Sequence, residues 1–329
     1  MNTTENHADG GDAEDRRQTT SEVKNQSAQI DVRNISIGRQ SLTVAIRRGS
    51  DSRPPLLLFN GIGANWELAR PFFDALTDTT AIIFDVPGVG GSAMPALPYR
   101  PSTLARLASR LVAELGYKQV DVAGVSWGGG LAQQFAHQYP FLCRRLVLAA
   151  TSPGAIMVPG RLSVLWKMAT PRRYTDKEHM RKVAPQIYGG VFRKHPELIA
   201  PHANAMHGGG HLGYLYQQLA MAGWTSLPWL WLLRQPTLVL VGSDDPLIPP
   251  INGEILARLI PNSRLRTIDD GHLFLVTRPA ESAAIIEEFL SAAEPQRDEK
   301  PSWFARNLTQ VARRISGSAD LHHRTQVSD

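Results

Sequence analysis

Cysteine is nearly absent from this chain, and so is any long apolar run. A lone Cys143 excludes an internal disulfide framework and fits a reducing compartment. It falls in an expected turn ahead of an apolar strand, where a small packed side chain is its natural role. The longest apolar stretch, 227–233 resuming at 237–241, is broken by Pro228, Arg234 and Pro236, which leaves it too interrupted to span a bilayer. Residues 1–28 are polar and of mixed charge, without the apolar core of a signal peptide. These absences together lead to the expectation of a cytoplasmic protein. Internal repeats are lacking as well.

What is there suits a soluble globular chain. Its 329 residues are 43% hydrophobic and 20% charged, enough for one large α/β domain with an insertion or for two domains. The net charge of +5 is uneven, because residues 154–235 hold ten Lys or Arg against three Asp or Glu. Such an excess attracts an anionic surface or simply solvates helix faces. No aromatic residues interleave with it in a nucleic-acid-binding motif, so no nucleic-acid partner is expected.

Residues 1–28 read as a disordered tail, rich in Thr, Ser, Asn, Asp and Glu. From Ile30 the pattern alternates through Val32, Ile35 and Ile37 and then Leu42, Val44 and Ile46, which predicts an edge hairpin. Short apolar runs at 55–59, 81–84, 119–123, 145–149, 236–241 and 264–268 read as buried strands. Helical spacing separates them at 67–76, 103–115, 129–139 and 280–290. Strands and helices in this alternation predict a mostly parallel sheet covered on both faces, with its ligand at the carboxyl ends of the strands. The core is expected over 29–153 and 236–295. The stretch 154–235 interrupts it as a helical lid lined by large apolar side chains, among them Trp166, Trp224, Trp229 and Trp231. Residues 296–329 are expected to form a basic amphipathic segment, with Trp303, Phe304, Leu308, Val311 and Ile315 at helical spacing, and then a disordered end.

The chemistry centres on Gly124-Val125-Ser126-Trp127-Gly128, between a predicted strand and a predicted helix. A serine on such a turn, with glycine two residues to either side, is the nucleophile-elbow pattern. The bland alternative is a glycine-rich turn whose serine caps the helix. A serine needs a base, and the base needs an orienting acid, in the chain order serine, acid, histidine. His272, just after the last strand, is the expected base. His322 and His323 lie in the polar tail. The acid is sought after the strand at 236–241, where Asp245 is preferred over Asp244, which would cap the turn. Asp269 and Asp270 read as turn formers. The oxyanion donors are expected to be the backbone N–H groups of Trp127 and Ile62, with Gly61 and Gly63 allowing close approach. The loop Gly88–Gly91 lacks the residues of a phosphate-binding motif and reads as a tight turn. The pair His207 and His211 has i, i+4 spacing, but three intervening glycines disfavour the helix a metal site would need. No metal or cofactor is expected.

With these parts in place the chain resembles the α/β-hydrolase superfamily over about residues 30–292. The loop 60–64 matches its oxyanion loop, with Asn60 where histidine is usual. Residues 85–92 match its D-x-P-G-x-G-x-S turn, and 242–249 match its acid turn with Asp245 at the catalytic position. The stretches FNGIGAN, FDVPGVGGS, GVSWGGGLAQQFA, ATSPGAIMVPG and GYLYQQLA resemble the intracellular medium-chain poly(3-hydroxyalkanoate) depolymerases. Related polyester synthases carry cysteine at the elbow, and Ser126 favours hydrolysis over chain growth. The resemblance implies an α/β-hydrolase fold and a serine hydrolase acting on an apolar polyester or ester substrate. Granule-surface association is expected from the amphipathic segment 296–329, whose alternative is docking on the protein's own body. The same triad also suits a small-molecule esterase or a carbon–carbon bond hydrolase, and the same pocket suits a non-catalytic ligand receptor.

Overall fold

Short apolar runs become strands where both of their faces can be covered, and this chain carries enough of them for one wide sheet. The computed structural model describes residues 29–50, 52–169, 172–205 and 210–293. Strands β1 (Ile30–Ile37) and β2 (Gln40–Arg47) form the antiparallel hairpin that their alternation predicts. β2 continues antiparallel onto β4 (Ala81–Phe84). All further pairings are parallel, through β3 (Leu56–Phe59), β5 (Val120–Val125), β6 (Cys143–Ala149), β7 (Thr237–Gly242) and β8 (Ser263–Ile268). The order across the eight-stranded sheet is β1-β2-β4-β3-β5-β6-β7-β8. The chain thus adopts the α/β-hydrolase fold, a mostly parallel sheet with helices on both faces.

Every residue of β3, β4, β5 and β7 is buried, as continuous apolar runs require. Neighbouring side chains nevertheless serve opposite layers. Leu57 and Phe59 join Leu104, Leu111, Leu131 and Phe135 in one core, whereas Leu56 and Leu58 join Phe72, Phe73, Phe274 and Phe289 in the other. The first layer is built by α2 (Pro101–Glu114) and α3 (Trp127–Gln138), the second by α1 (Arg70–Ala75) and helices near the C-terminal end of the fold.

Three local readings shift. The helix expected over 67–76 is a 3-10 turn, Trp66–Ala69, followed by α1, whose Pro71 lies in its first turn and has no N–H to continue the ladder. Helix α2 begins at Pro101, two residues before the predicted start, because proline is preset for the first helical position. Cys143 is the first residue of β6 and not part of a turn; burial pushes its thiol pKa up, which leaves it unreactive.

Between β6 and β7 the chain runs through α4 (Leu162–Met168), α5 (Arg172–Thr175), α6 (Lys177–Tyr188), α7 (Gly190–Lys194), α8 (Ile199–Ala205) and α9 (His211–Met221). This helical segment has its own core of Val164, Met180, Ile187, Phe192 and Ile199, which also takes in Leu68 and Leu247 from the loops at the strand ends. The fold closes with α10 (Ile251–Leu259), α11 (Phe274–Thr277) and α12 (Pro279–Ser291). No helix among the described residues is long and apolar enough to cross a membrane. The tail expected over 1–28 and the amphipathic segment expected over 296–329 lie outside the described residues.

Candidate active site

The sharpest backbone feature is at Ser126. It stands between β5 and α3 with φ 54° and ψ −119°, in the left-handed half of conformational space that side chains avoid. Strain of this kind costs about 1–3 kcal/mol and persists only where the surroundings enforce it. They do so here. The Ser126 N–H donates to the Ala149 carbonyl at 2.9 Å, and its own carbonyl accepts Thr151 Oγ1 at 2.7 Å and the Gly129 N–H at 2.9 Å. The flanking glycines are steric necessities. A Cβ on Gly124 would sit 2.3 Å from the Gly128 carbonyl oxygen, and one on Gly128 would sit 2.2 Å from the Phe59 carbonyl oxygen. The helix α3 starts directly after the serine, so its N-terminal dipole faces the hydroxyl.

Asp245 and His272 meet although 27 positions separate them. His272 Nδ1 lies 2.7 Å from Asp245 Oδ2, and both side chains are buried. The other carboxylate oxygen, Oδ1, accepts the N–H groups of Leu247 and Ile248, each at 2.9 Å. A carboxylate so held can only accept, so Nδ1 carries the proton and Nε2 keeps the lone pair. His272 and Ser126 line one cavity at the carboxyl ends of the strands. Asn60, Gly61 and Ile62 line it too.

Asp244 and Asp270 do different work. Asp244 accepts the Gly190 N–H at 2.8 Å and pairs with Arg193 at 2.7 Å. Asp270 accepts the Val191 N–H at 2.7 Å and the Gly271 N–H at 2.6 Å, and Thr277 Oγ1 also donates to it. They are therefore more than turn formers, because they clasp the α6–α7 junction onto the acid and histidine loops. The fit is close: a Cβ on Gly190 (φ 51°) would stand 1.9 Å from the Gly271 nitrogen. The same junction supplies the Tyr188 carbonyl, which accepts the His272 N–H at 2.7 Å. The Tyr188 ring lies parallel to the imidazole at 6.3 Å between centroids.

Sequence reasoning missed Gln217. From α9 its Oε1 accepts the Gly63 N–H at 2.7 Å, and its backbone carbonyl accepts the Trp127 indole N–H at 2.9 Å. One buried residue thus ties the loop that carries Ile62 to Trp127, the first residue of α3. It lies in the stretch GYLYQQLA, whose likeness to the depolymerases marks the segment, but no local pattern singles out one glutamine of an apolar helix. Gly63 needs its left-handed φ of 71°, but Gly61 is not sterically forced, because a Cβ there would meet Ser126 Cβ at an ordinary 3.8 Å. We expect Gln217→Ala to strand the Gly63 N–H and lower kcat between about ten- and a hundredfold with little change in KM. Steady-state kinetics on an activated ester would check this, and an unchanged kcat would refute it.

The turn after β4 is a scaffold. Asp85 is buried and accepts the Trp66 N–H at 2.7 Å and the Gly91 N–H at 3.0 Å. Burial pushes its pKa up to about 7, against the pull of those two donors. Gly88 faces Gly213 of α9 so closely that a Cβ on Gly213 would lie 1.9 Å from the Gly88 carbonyl oxygen. The glycines therefore seat a helix.

The cavity is mainly apolar, with Leu58, Leu68, Phe72, Leu247 and Leu275 in its wall. From the helical segment it is lined by Met168, Tyr188 and His202. The four tryptophans expected there lie elsewhere. Trp166 is 80% exposed and Trp231 is 51% exposed, while Trp224 and Trp229 pack together, and Trp229 stacks on His137 at 4.3 Å. The backbone turns the indoles outward or against α3, a choice that hydrophobicity alone does not encode. His207 of the doubtful metal pair lies outside the described residues. Among the described residues no group of three or more His, Cys, Asp or Glu could hold a metal ion.

A family model described as the alpha/beta hydrolase fold matches residues 54–279. A poly(3-hydroxyalkanoate) depolymerase of Ectopseudomonas oleovorans is 56% identical over 259 residues, covering 78% of this chain and 92% of that protein. A pimeloyl-[acyl-carrier protein] methyl ester esterase of Aromatoleum aromaticum is 31% identical over 256 residues, covering 72% and 98% of the two chains. Among solved structures, a hydrolase from Pseudomonas aeruginosa PA01 superposes with a TM-score of 0.68 at 23% identity, covering 80% of this chain and 99% of that one; it speaks for the fold alone. With an elbow serine, a buried acid–imidazole pair and relatives of this kind, the chain belongs to the α/β-hydrolase family, as an ester hydrolase similar to a poly(3-hydroxyalkanoate) depolymerase.

Proposed function

We propose that this enzyme cleaves the ester bonds of poly(3-hydroxyalkanoates) with medium-length side chains, by way of an acyl-enzyme on Ser126. The observation that carries the chemistry is the buried Asp245–His272 pair, which shares one cavity with a serine held at φ 54°. The 56% identity to a depolymerase supports the polymer.

His272 Nε2 takes the Ser126 proton as Oγ attacks the ester carbonyl. Asp245 holds the ring in the required tautomer and stabilises the imidazolium. The oxyanion is met by the N–H groups of Ile62 and Trp127. His272 then protonates the departing alcohol end of the chain, and a water activated by the same ring releases the 3-hydroxy acid. The apolar wall accepts the alkyl side chain and keeps bulk water away, which strengthens the oxyanion contacts. Residues 154–235 act as a lid, clasped to the acid and histidine loops through Asp244 and Asp270. Leu162 and Trp166 on α4 are 78% and 80% exposed, apolar contacts suited to a granule surface.

The test is incubation of the full chain with amorphous medium-chain polyester granules and mass analysis of the soluble fraction. Release of 3-hydroxy acids or their oligomers is the expected result. Turnover of short p-nitrophenyl esters with no release from granules would assign the site to small esters instead.

A further inference from the structure

The cavity that opens on Ser126 contains a polar ring that this chemistry does not use. His202, on α8, lines the cavity beside Ser126 and His272 and is only 8% exposed. Its ring meets Tyr188 edge-on at 6.1 Å and lies tilted against Phe192 at 5.7 Å, and both of those side chains are buried. Burial brings its pKa down to about 4, so at neutral pH the ring is uncharged, with one N–H to donate and one lone pair to accept. Among the described residues neither nitrogen has a hydrogen-bond partner, and neither is sealed inside the protein, so both are open to the cavity.

A polar ring in a cavity wall with no protein partner is open to a group of the ligand. The other polar groups of the wall differ. Asn60 is bonded to the Asn65 carbonyl and the Gly61 N–H, and His272 is bonded to Asp245. Ser126 is the nucleophile. His202 is left facing a mainly apolar chamber with both of its functions open. A fatty acyl chain offers such a ring nothing. A 3-hydroxyacyl chain offers one oxygen, on C3, two carbons from the carbonyl under attack.

We infer that His202 is a substrate-recognition residue whose ring hydrogen-bonds the C3 oxygen of the acyl group, so that the site selects 3-oxygenated esters over plain fatty esters. The inference rests on the ester-hydrolase reading above. Its ligand class is the 3-hydroxyacyl or 3-acyloxyacyl ester, in which the same oxygen is a chain-end hydroxyl or a link to the next unit.

The experiment compares p-nitrophenyl 3-hydroxyoctanoate, 3-methoxyoctanoate and octanoate on the full chain, with kcat and KM measured for each. Wild-type enzyme is expected to favour the 3-hydroxy ester over octanoate about tenfold in kcat/KM, the worth of one net hydrogen bond. Retention of that preference by the methoxy ester assigns the contact to an accepting C3 oxygen, and its loss assigns it to the donated hydroxyl proton. His202→Phe should bring the ratio near one. His202→Gln, which keeps a donor and an acceptor, should retain most of it. If His202→Phe does not fold, His202→Leu takes its place, with the same ratio near one expected. A wild type that hydrolyses 3-hydroxyoctanoate and octanoate esters equally well overturns the role of His202 and leaves the hydrolase intact. A His202→Phe variant that slows those two esters by the same factor also overturns it, as a purely structural effect would. A wild type inert toward every ester overturns both readings.

Discussion

Alanine in place of Ser126 is expected to lower ester hydrolysis by about five to six orders of magnitude while the fold survives. The backbone at this position is held by bonds that do not involve the hydroxyl: to Ala149, Thr151 and Gly129. Alanine keeps the Cβ, and so bears the same left-handed strain at φ 54° that serine bears. Only Oγ is lost. A water placed by the cavity would be the remaining nucleophile, so residual rate should come from the oxyanion donors and substrate binding alone. Kinetics with p-nitrophenyl octanoate, labelling by a fluorophosphonate probe and thermal melting together read this out. A Ser126→Ala protein that still melts like the parent, fails to label and fails to turn over is the expected result. Activity within tenfold of the parent would mean that the elbow only caps a helix.

Asp245→Asn should cost about four orders of magnitude in kcat, for a reason set by the two amides behind it. Oδ1 of Asp245 accepts from Leu247 and Ile248, so the carbonyl oxygen of an asparagine must take that position. Its NH2 group then faces His272 Nδ1, where Oδ2 now stands at 2.7 Å. A donor at that place forces Nδ1 to accept, which moves the imidazole proton to Nε2. The ring can no longer receive the serine proton. KM should change far less than kcat, since no substrate contact is removed. Asp244→Asn is the informative partner. Asp244 holds Gly190 and Arg193 at the partly exposed clasp, so its loss should cost on the order of 1 kcal/mol of stability and little rate. If the two substitutions changed kcat alike, the division of labour between the adjacent aspartates would be wrong.

Much of this was legible along the chain. The runs at 55–59, 81–84 and 236–241 could only be buried strands, because they are apolar on both faces and too short for helices. Gly124 and Gly128 announced the elbow because a tight turn leaves a chemical mark in sequence, the absence of Cβ where backbones collide. Helix starts were less legible, as at Pro101, since the apolar period marks the buried face of a helix and not its first residue.

The local sequence by itself determined which segments are strands, where the serine turn lies and which residue types could serve it, because backbone sterics and side-chain period act within a few residues. Tertiary structure decided everything that depends on convergence. It chose Asp245 to face His272 and set Asp244 and Asp270 to clasp the helical segment. It brought Gln217 to the Gly63 loop, turned the tryptophans away and aimed His202 into the cavity. Those outcomes depend on distances between residues far apart in the chain, and such distances exist only once the helices of 154–235 have packed over the strand ends.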